Sequence, residues 1–135
     1  MSTEQRTQEV VQAFWEGMNS NDFVATARLL SNDFECRMPQ SGEVIKGPQN
    51  FAAFNAAYPA KGPWRFTVNR CVSEGNTAVT DVSVTDGDLK ATVITFHTVA
   101  KGLITRQVEY WPDPFPAQAW RAHLVSELKG IAHDT

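Results

Sequence analysis

The sequence predicts an α+β fold in which helices pack on a curved antiparallel sheet and a further helix ends the chain. Two observations carry this. Up to Tyr58 apolar side chains recur mostly at helical spacing, whereas from Trp64 to Trp111 the period falls to two, with glycine-bearing turns between four runs. A third observation is that those runs carry apolar residues on both sides, which a sheet covered by helices on one face does not need.

The elements follow in order. Val10, Val11, Phe14, Trp15 and Met18 form one stripe, so residues 3–19 should be an amphipathic helix, broken at Asn19-Ser20-Asn21-Asp22. Those capping residues also start a second helix, about 22–31, with Phe23, Ala27 and Leu30 on one face. Phe34, Cys36 and Met38 alternate with Glu35 and Arg37, a short half-buried strand that Pro39 must stop or place at an edge. Gln40-Ser41-Gly42-Glu43 reads as a turn. Gly47-Pro48 opens a third helix, because proline at the first helical position loses no needed N–H; Phe51, Phe54, Asn55 and Tyr58 follow on one side, and Pro59 closes it.

Four strands come next, at about 64–74, 77–86, 89–99 and 103–111. Glu74-Gly75-Asn76, Asp86-Gly87-Asp88 and Ala100-Lys101-Gly102 are short enough for hairpins, hence an antiparallel meander. Pro112-Asp113-Pro114-Phe115-Pro116 ends the sheet. Trp120, Leu124 and Leu128 then recur every four residues up to Lys129-Gly130, the pattern of a C-terminal helix with a glycine stop. With Ile104, Val108 and Tyr110 on one side of the last strand and Leu103, Gln107, Glu109 and Trp111 on the other, neither face looks solvated. The expected solution is a homodimer through the sheet face.

Bulk properties narrow the function. The 135 residues suit one domain, 1–135, and 42% hydrophobic with 20% charged residues is an ordinary globular balance. No apolar run is long enough for a membrane span, and the polar start lacks the layout of a secretory signal. A net charge of −3 without a run of Lys and Arg gives no footprint for nucleic acid or acidic membranes. Cys36 and Cys71 lie far apart and form no CxxC, which fits reduced cytoplasmic thiols. There is no GxSxG elbow, phosphate-binding glycine loop or HExxH, and His97, His123 and His133 lack metal-ligand spacing, so neither cofactor nor metal is expected. The expected partner is a small apolar molecule or another copy of the chain.

The element order, together with Met38-Pro39-Gln40-Ser41-Gly42-Glu43, Gly47-Pro48, and Gly102-Leu103-Ile104 running to Glu109-Tyr110-Trp111, resembles the SnoaL-like, nuclear-transport-factor-like superfamily. The resemblance covers nearly the whole chain. It implies a cone-shaped, cystatin-like α+β fold, and relatives that include ketosteroid isomerases, limonene epoxide hydrolases and polyketide cyclases. Such a fold hosts enzymes and binding proteins alike. At the position of the isomerases' general base, directly before the proline of the short strand, stands Met38. Where they carry oxyanion donors, this chain offers Phe14 and Trp15 on the first helix and Thr95 and His97 on the third long strand. Glu109 matches the acid that limonene epoxide hydrolases carry before an aromatic pair, but their arginine and aspartate correspond to Asp81 and Ser83.

The residues themselves leave two readings. If the sides of the strands that carry Asp81 and Glu109 both face the pocket, two carboxyls share one apolar cavity, and desolvation and repulsion raise at least one pKa toward the range of a general acid or base. Otherwise each acid is tied to an arginine such as Arg37, Arg106 or Arg121. His97 is a base if it points inward, and a core or interface residue if it does not. Trp15, Met38, Phe54, Tyr58, Gln107 and Trp111 would line the pocket, or in part simply pack the core. Trp120 and Arg121 would close the mouth or pack on the sheet. The function expected is cofactor-independent isomerase, cyclase or hydrolase chemistry; the alternative is a non-catalytic ligand-binding or dimerisation module.

Overall fold

The computed structural model describes residues 2–128. Helix α1 (Thr3–Ser20) begins with a capping box, Ser2 and Gln5 each taking the other's backbone N–H, and ends at Asn21 in the left-handed conformation. Its buried face is Thr7, Val11, Phe14, Trp15 and Met18, the stripe the sequence predicts with Thr7 added. Asp22 caps α2 (Phe23–Thr26) by accepting from the Ala25 N–H. Helix α2 approaches α1 so closely that a Cβ on Gly17 would lie 2.6 Å from Thr26 Oγ1. Any larger residue at 17 would push the two helices apart.

The predicted second helix is shorter than expected. After Thr26 the chain tightens into a 3-10 turn at Ala27–Leu29, and strand β1 (Leu30–Met38) starts at Leu30, four residues before the alternation at Phe34. Leu30 pairs with Ile104 and buries its side chain, so tertiary burial overrides the helical periodicity. Strand β2 (Glu43–Lys46) continues past the Gly42 turn, and pairs antiparallel with β1 from Met38↔Glu43 to Glu35↔Lys46. Helix α3 (Pro48–Ala57) has its proline at the start, as predicted.

Strands β3 (Arg65–Glu74), β4 (Thr77–Thr85), β5 (Lys90–Ala100) and β6 (Leu103–Tyr110) form the expected antiparallel meander. The sheet order is β2-β1-β6-β5-β4-β3, and β1 runs parallel to β6. The sheet is therefore mixed rather than wholly antiparallel. The long connection through β2, α3 and the meander brings the chain back beside β1 in the same direction.

One face of the sheet is covered by the helices. Ala78, Thr80, Val82 and Val84 of β4 alternate with half-buried Val79, Asp81 and Ser83, and the buried set packs with Val11, Phe14 and Met18 of α1. Each large side chain so enclosed contributes roughly 1.5–3 kcal/mol. The other, convex face leaves Val68, Val72, Phe96 and Tyr110 exposed, the last two in edge-to-face contact.

The C-terminal helix is a correction. Only a 3-10 turn, Ala119–Leu124, follows the prolines, and Trp120, Leu124 and Leu128 are 67%, 69% and 84% exposed. A four-residue period stabilises a helix only where the stripe can be buried, and Pro112, Pro114 and Pro116 lead the chain off the sheet before it starts. The expected stop at Lys129-Gly130 lies outside the described residues.

Candidate functional site

The helices and the concave face diverge at one end and leave a cavity of about 490 Å3, in the range of small-molecule sites. Its floor is Phe14, Trp15 and Met18 of α1 with Val93 and Gln107 of the sheet. One wall is Phe51, Phe54 and Tyr58 of α3 with Trp64 and Phe66 at the start of β3. The opposite wall is Met38, Gln40, Ser41, Glu43 and Ile45, from the β1–β2 hairpin, with Glu109, Trp111 and Asp113 from the end of β6 and the residues after it. The Gln40 carbonyl accepts the Trp111 backbone N–H, tying the hairpin turn to the chain leaving β6 and fixing that side of the mouth.

Two asparagines at the end of α1 set the other side. Asn19 accepts the Phe66 N–H at 2.7 Å and donates to the Phe66 carbonyl at 2.8 Å; Asn21 does the same with Trp64, both at 2.8 Å. Each amide satisfies one residue's donor and acceptor as a neighbouring strand would. The helix end thus holds two aromatic lining residues in place. Sequence reasoning takes these asparagines only as helix breakers; their pairing is with residues more than forty positions away, and no local pattern announces it.

Glu109 is half-buried in the wall, and burial raises its carboxyl pKa above the usual glutamate range. Hydrogen bonds from the Trp111 indole N–H (3.2 Å to Oε1) and the Cys36 thiol oppose the shift without cancelling it. Burial chiefly, with Glu109 as negative neighbour, pushes the Cys36 thiol far above the usual cysteine range. Cys36 is therefore a hydrogen-bond donor to the carboxylate and not a thiolate.

His97 and Asp81 stand elsewhere. His97 lies on the concave face but behind the lining, fully buried. Its Nε2 is 2.8 Å from Thr80 Oγ1 and its Nδ1 3.1 Å from Gln107 Nε2, while the Trp15 indole N–H donates to the same threonine oxygen at 3.2 Å. Burial lowers its pKa from 6.5 to about 3, so the imidazole is neutral. With both ring nitrogens engaged and no surface toward the cavity, His97 is a core residue rather than a base reaching ligand. It orders two residues that do line the cavity, Trp15 and Gln107.

Asp81 corrects the expected carboxyl pair. It points to the convex face, where Asn69, the residue bulged out between Val68 and Arg70, donates to Ser83 Oγ at 2.8 Å and approaches Asp81 Oδ1 at 3.5 Å. The physical reason is register. Asp81 pairs with Ile94 and Glu109 with Thr95, and neighbouring residues of one strand point to opposite faces. Of the acids in question, one enters the cavity.

The remaining expected lining residues, Trp15, Met38, Phe54, Tyr58, Gln107 and Trp111, all border it; Phe54 and Tyr58 stand at the mouth, 36% and 51% exposed. Trp120 and Arg121, expected to close the mouth or pack on the sheet, form a cation–π pair with each other, and Trp120 remains exposed. Gln40, Ser41 and Glu43 are additions, contributed by the hairpin that reads as a plain turn in the sequence. Among the described residues no cluster of three His, Cys, Asp or Glu has the geometry to hold a metal ion, and no helix is long and apolar enough to cross a membrane.

Comparison with known proteins now decides the family. The SnoaL-like domain profile matches residues 11–107, more than half of the chain. The chain belongs to the SnoaL-like family. Among solved structures this SnoaL-like chain is similar to a candidate ketosteroid isomerase from Kribbella flavida DSM 17836, with a TM-score of 0.87 and 29% identity over 97% of this chain and 96% of that one. A candidate SnoaL-like polyketide cyclase from Jannaschia sp. CCS1 shares the fold, with a TM-score of 0.70 and 17% identity over 82% and 88% of the two chains. So does an epoxide hydrolase of the LEH-like type from M. tuberculosis, at 0.67 and 18% over 81% and 84%. No curated protein matches by sequence.

Proposed function

We propose that this SnoaL-like protein encloses a small, mostly apolar or polyketide-like molecule and carries out cofactor-independent proton transfer on it, as an isomerase, cyclase or hydrolase would. Glu109 is the proton carrier. The observation that carries the reading is the position of that carboxyl: in the wall of an aromatic cavity, desolvated, with its pKa raised toward the range where it can both give and take a proton. Gln107, on the same face of the same strand, is held from behind by His97, and its amide is placed to hydrogen-bond a carbonyl or epoxide oxygen of the ligand. Asp81 has no part in the reaction.

A second reading has its own support. Met38 occupies the place where the resemblance to ketosteroid isomerases puts a base, and Asp81 lies on the far face, so the cavity holds fewer carboxyls than either related enzyme type. On that reading the protein binds its ligand without transforming it. Either way we expect a homodimer through the convex face, where Val68, Val72, Phe96 and Tyr110 are exposed, and a cytoplasmic site suited to two free thiols.

Native mass spectrometry of freshly purified protein is the test. The expected result is a complex that releases a small organic molecule on denaturation, followed by loss of its turnover in Glu109→Gln. A clean protein with nothing bound, and no thermal shift with a panel of apolar carbonyls and epoxides, would contradict the proposal. A bound molecule that Glu109→Gln handles as the wild type does would leave the binding reading.

A further inference from the structure

The cavity is polarised along the sheet. All of its acids lie on the β2–β1–β6 side: Glu43 on β2, Glu109 on β6, and Asp113 three residues beyond β6. The side formed by α3 and the β3–β5 strands contributes Phe54, Tyr58, Trp64, Leu89 and Val93, with no charge. Among the described residues, none of the lining is lysine, arginine or histidine. Glu43 and Asp113 are exposed at the mouth, whereas Glu109 is half-buried and takes its hydrogen bonds from an indole and a thiol, neither of which brings positive charge.

From this arrangement we infer that the ligand is an apolar molecule carrying a positively charged nitrogen, a protonated amine or quaternary ammonium, with the nitrogen on the Glu109 side and the apolar body against α3. The inference rests on the pocket reading given above and names its ligand class. Three features act together. A cation beside Glu109 supplies the counter-charge that burial withholds from it. The Trp111 and Trp15 rings offer negative π faces, the surfaces that hold ammonium groups elsewhere. An anionic ligand would face three carboxyls with no compensating base, so the same lining that admits cations repels acids.

The experiment is calorimetric titration with three ligands of similar size: benzyltrimethylammonium, its neutral carbon isostere neopentylbenzene, and phenylacetate. The expected order is cation, then neutral, then anion, with the cation at least about tenfold tighter than its isostere. Glu109→Gln, which changes no atom count, should cut the cation's affinity about fivefold or more and leave the isostere's unchanged. Glu43→Gln, on an exposed strand edge where folding is not at stake, should give a smaller loss in the same direction. Equal or tighter binding of the isostere would overturn the amine assignment while leaving the pocket reading intact. Cation preference undiminished in Glu109→Gln would overturn it as well, since the proposed counter-charge would be idle. No binding of any of the three would overturn both.

Discussion

The two faces of the sheet are built from the same strands, yet the concave face holds its polar groups in a closed chain while the convex face leaves them near water. On the concave side Trp15, Thr80, His97 and Gln107 form one buried hydrogen-bonded series, and Glu109 stands at its edge with a raised pKa. On the convex side Asp81 and Ser83 share the Asn69 amide, and valines and aromatics remain exposed. Two acids of similar chemistry thus differ in what they can do, because a carboxyl becomes a proton carrier by desolvation and not by its place in a sequence motif.

The sharpest way to break this comparison is to neutralise each acid in turn. Glu109→Gln should lower turnover of the identified substrate by about 10²–10⁴-fold, the usual worth of a general acid or base, while Asp81→Asn should stay within about twofold. Steady-state kinetics on both variants decides it. Equal losses would mean the faces are not functionally distinct.

Stability offers the next contrast. Phe14 is 1% exposed and meets Trp15, Phe51 and His97, so Phe14→Ala should cost about 3–5 kcal/mol in urea unfolding. Phe96, 44% exposed on the convex face, should cost about 1 kcal/mol or less in a monomer, and more only if a partner covers it.

Acid should separate the faces too. His97 is neutral in the fold, with a pKa of about 3 against 6.5 when unfolded, so the unfolded chain binds more protons between those values. Its contribution is present above pH 6.5 and is lost as pH falls toward 3, on the order of 3–5 kcal/mol in all. Glu109 acts with the opposite sign: its raised pKa gives stability that is present below 4.5 and lost as pH rises through the folded value. Melting temperatures across this range should therefore fall less steeply with acid in His97→Gln than in the wild type.

The smallest effect concerns assembly. Light scattering at micromolar concentration should give twice the chain mass of 15.0 kDa, and Phe96→Lys should shift it toward the monomer. A wild-type monomer would leave the convex face without the expected partner.

Much of this architecture is legible in the sequence because it rests on local signals. The stripe on α1, the proline opening α3 and the glycine turns of the meander each report their own element. What is not legible depends on distant pairing. Strand parity puts Glu109 with Gln107 and Trp111, and Asp81 with Val79 and Ser83, correctly in each case; which side faces the helices is set by the pairing of Asp81 with Ile94 and of Glu109 with Thr95. The β2 strand is four residues long with one buried side chain, too short to alternate visibly, yet it supplies Glu43 to the cavity. The period of four through Leu128 reads as a helix only because a sequence cannot show that its stripe meets nothing.

The central claim is that Glu109 is a desolvated carboxyl in the cavity wall, and direct titration tests it. In protein labelled with 13C-glutamate, with Glu109→Gln to assign the resonance, the side-chain carboxyl should titrate clearly above the ordinary 4.5. A midpoint at or below 4.5 would mean that the carboxyl is solvated or paired, and would contradict its role as the proton carrier of this site.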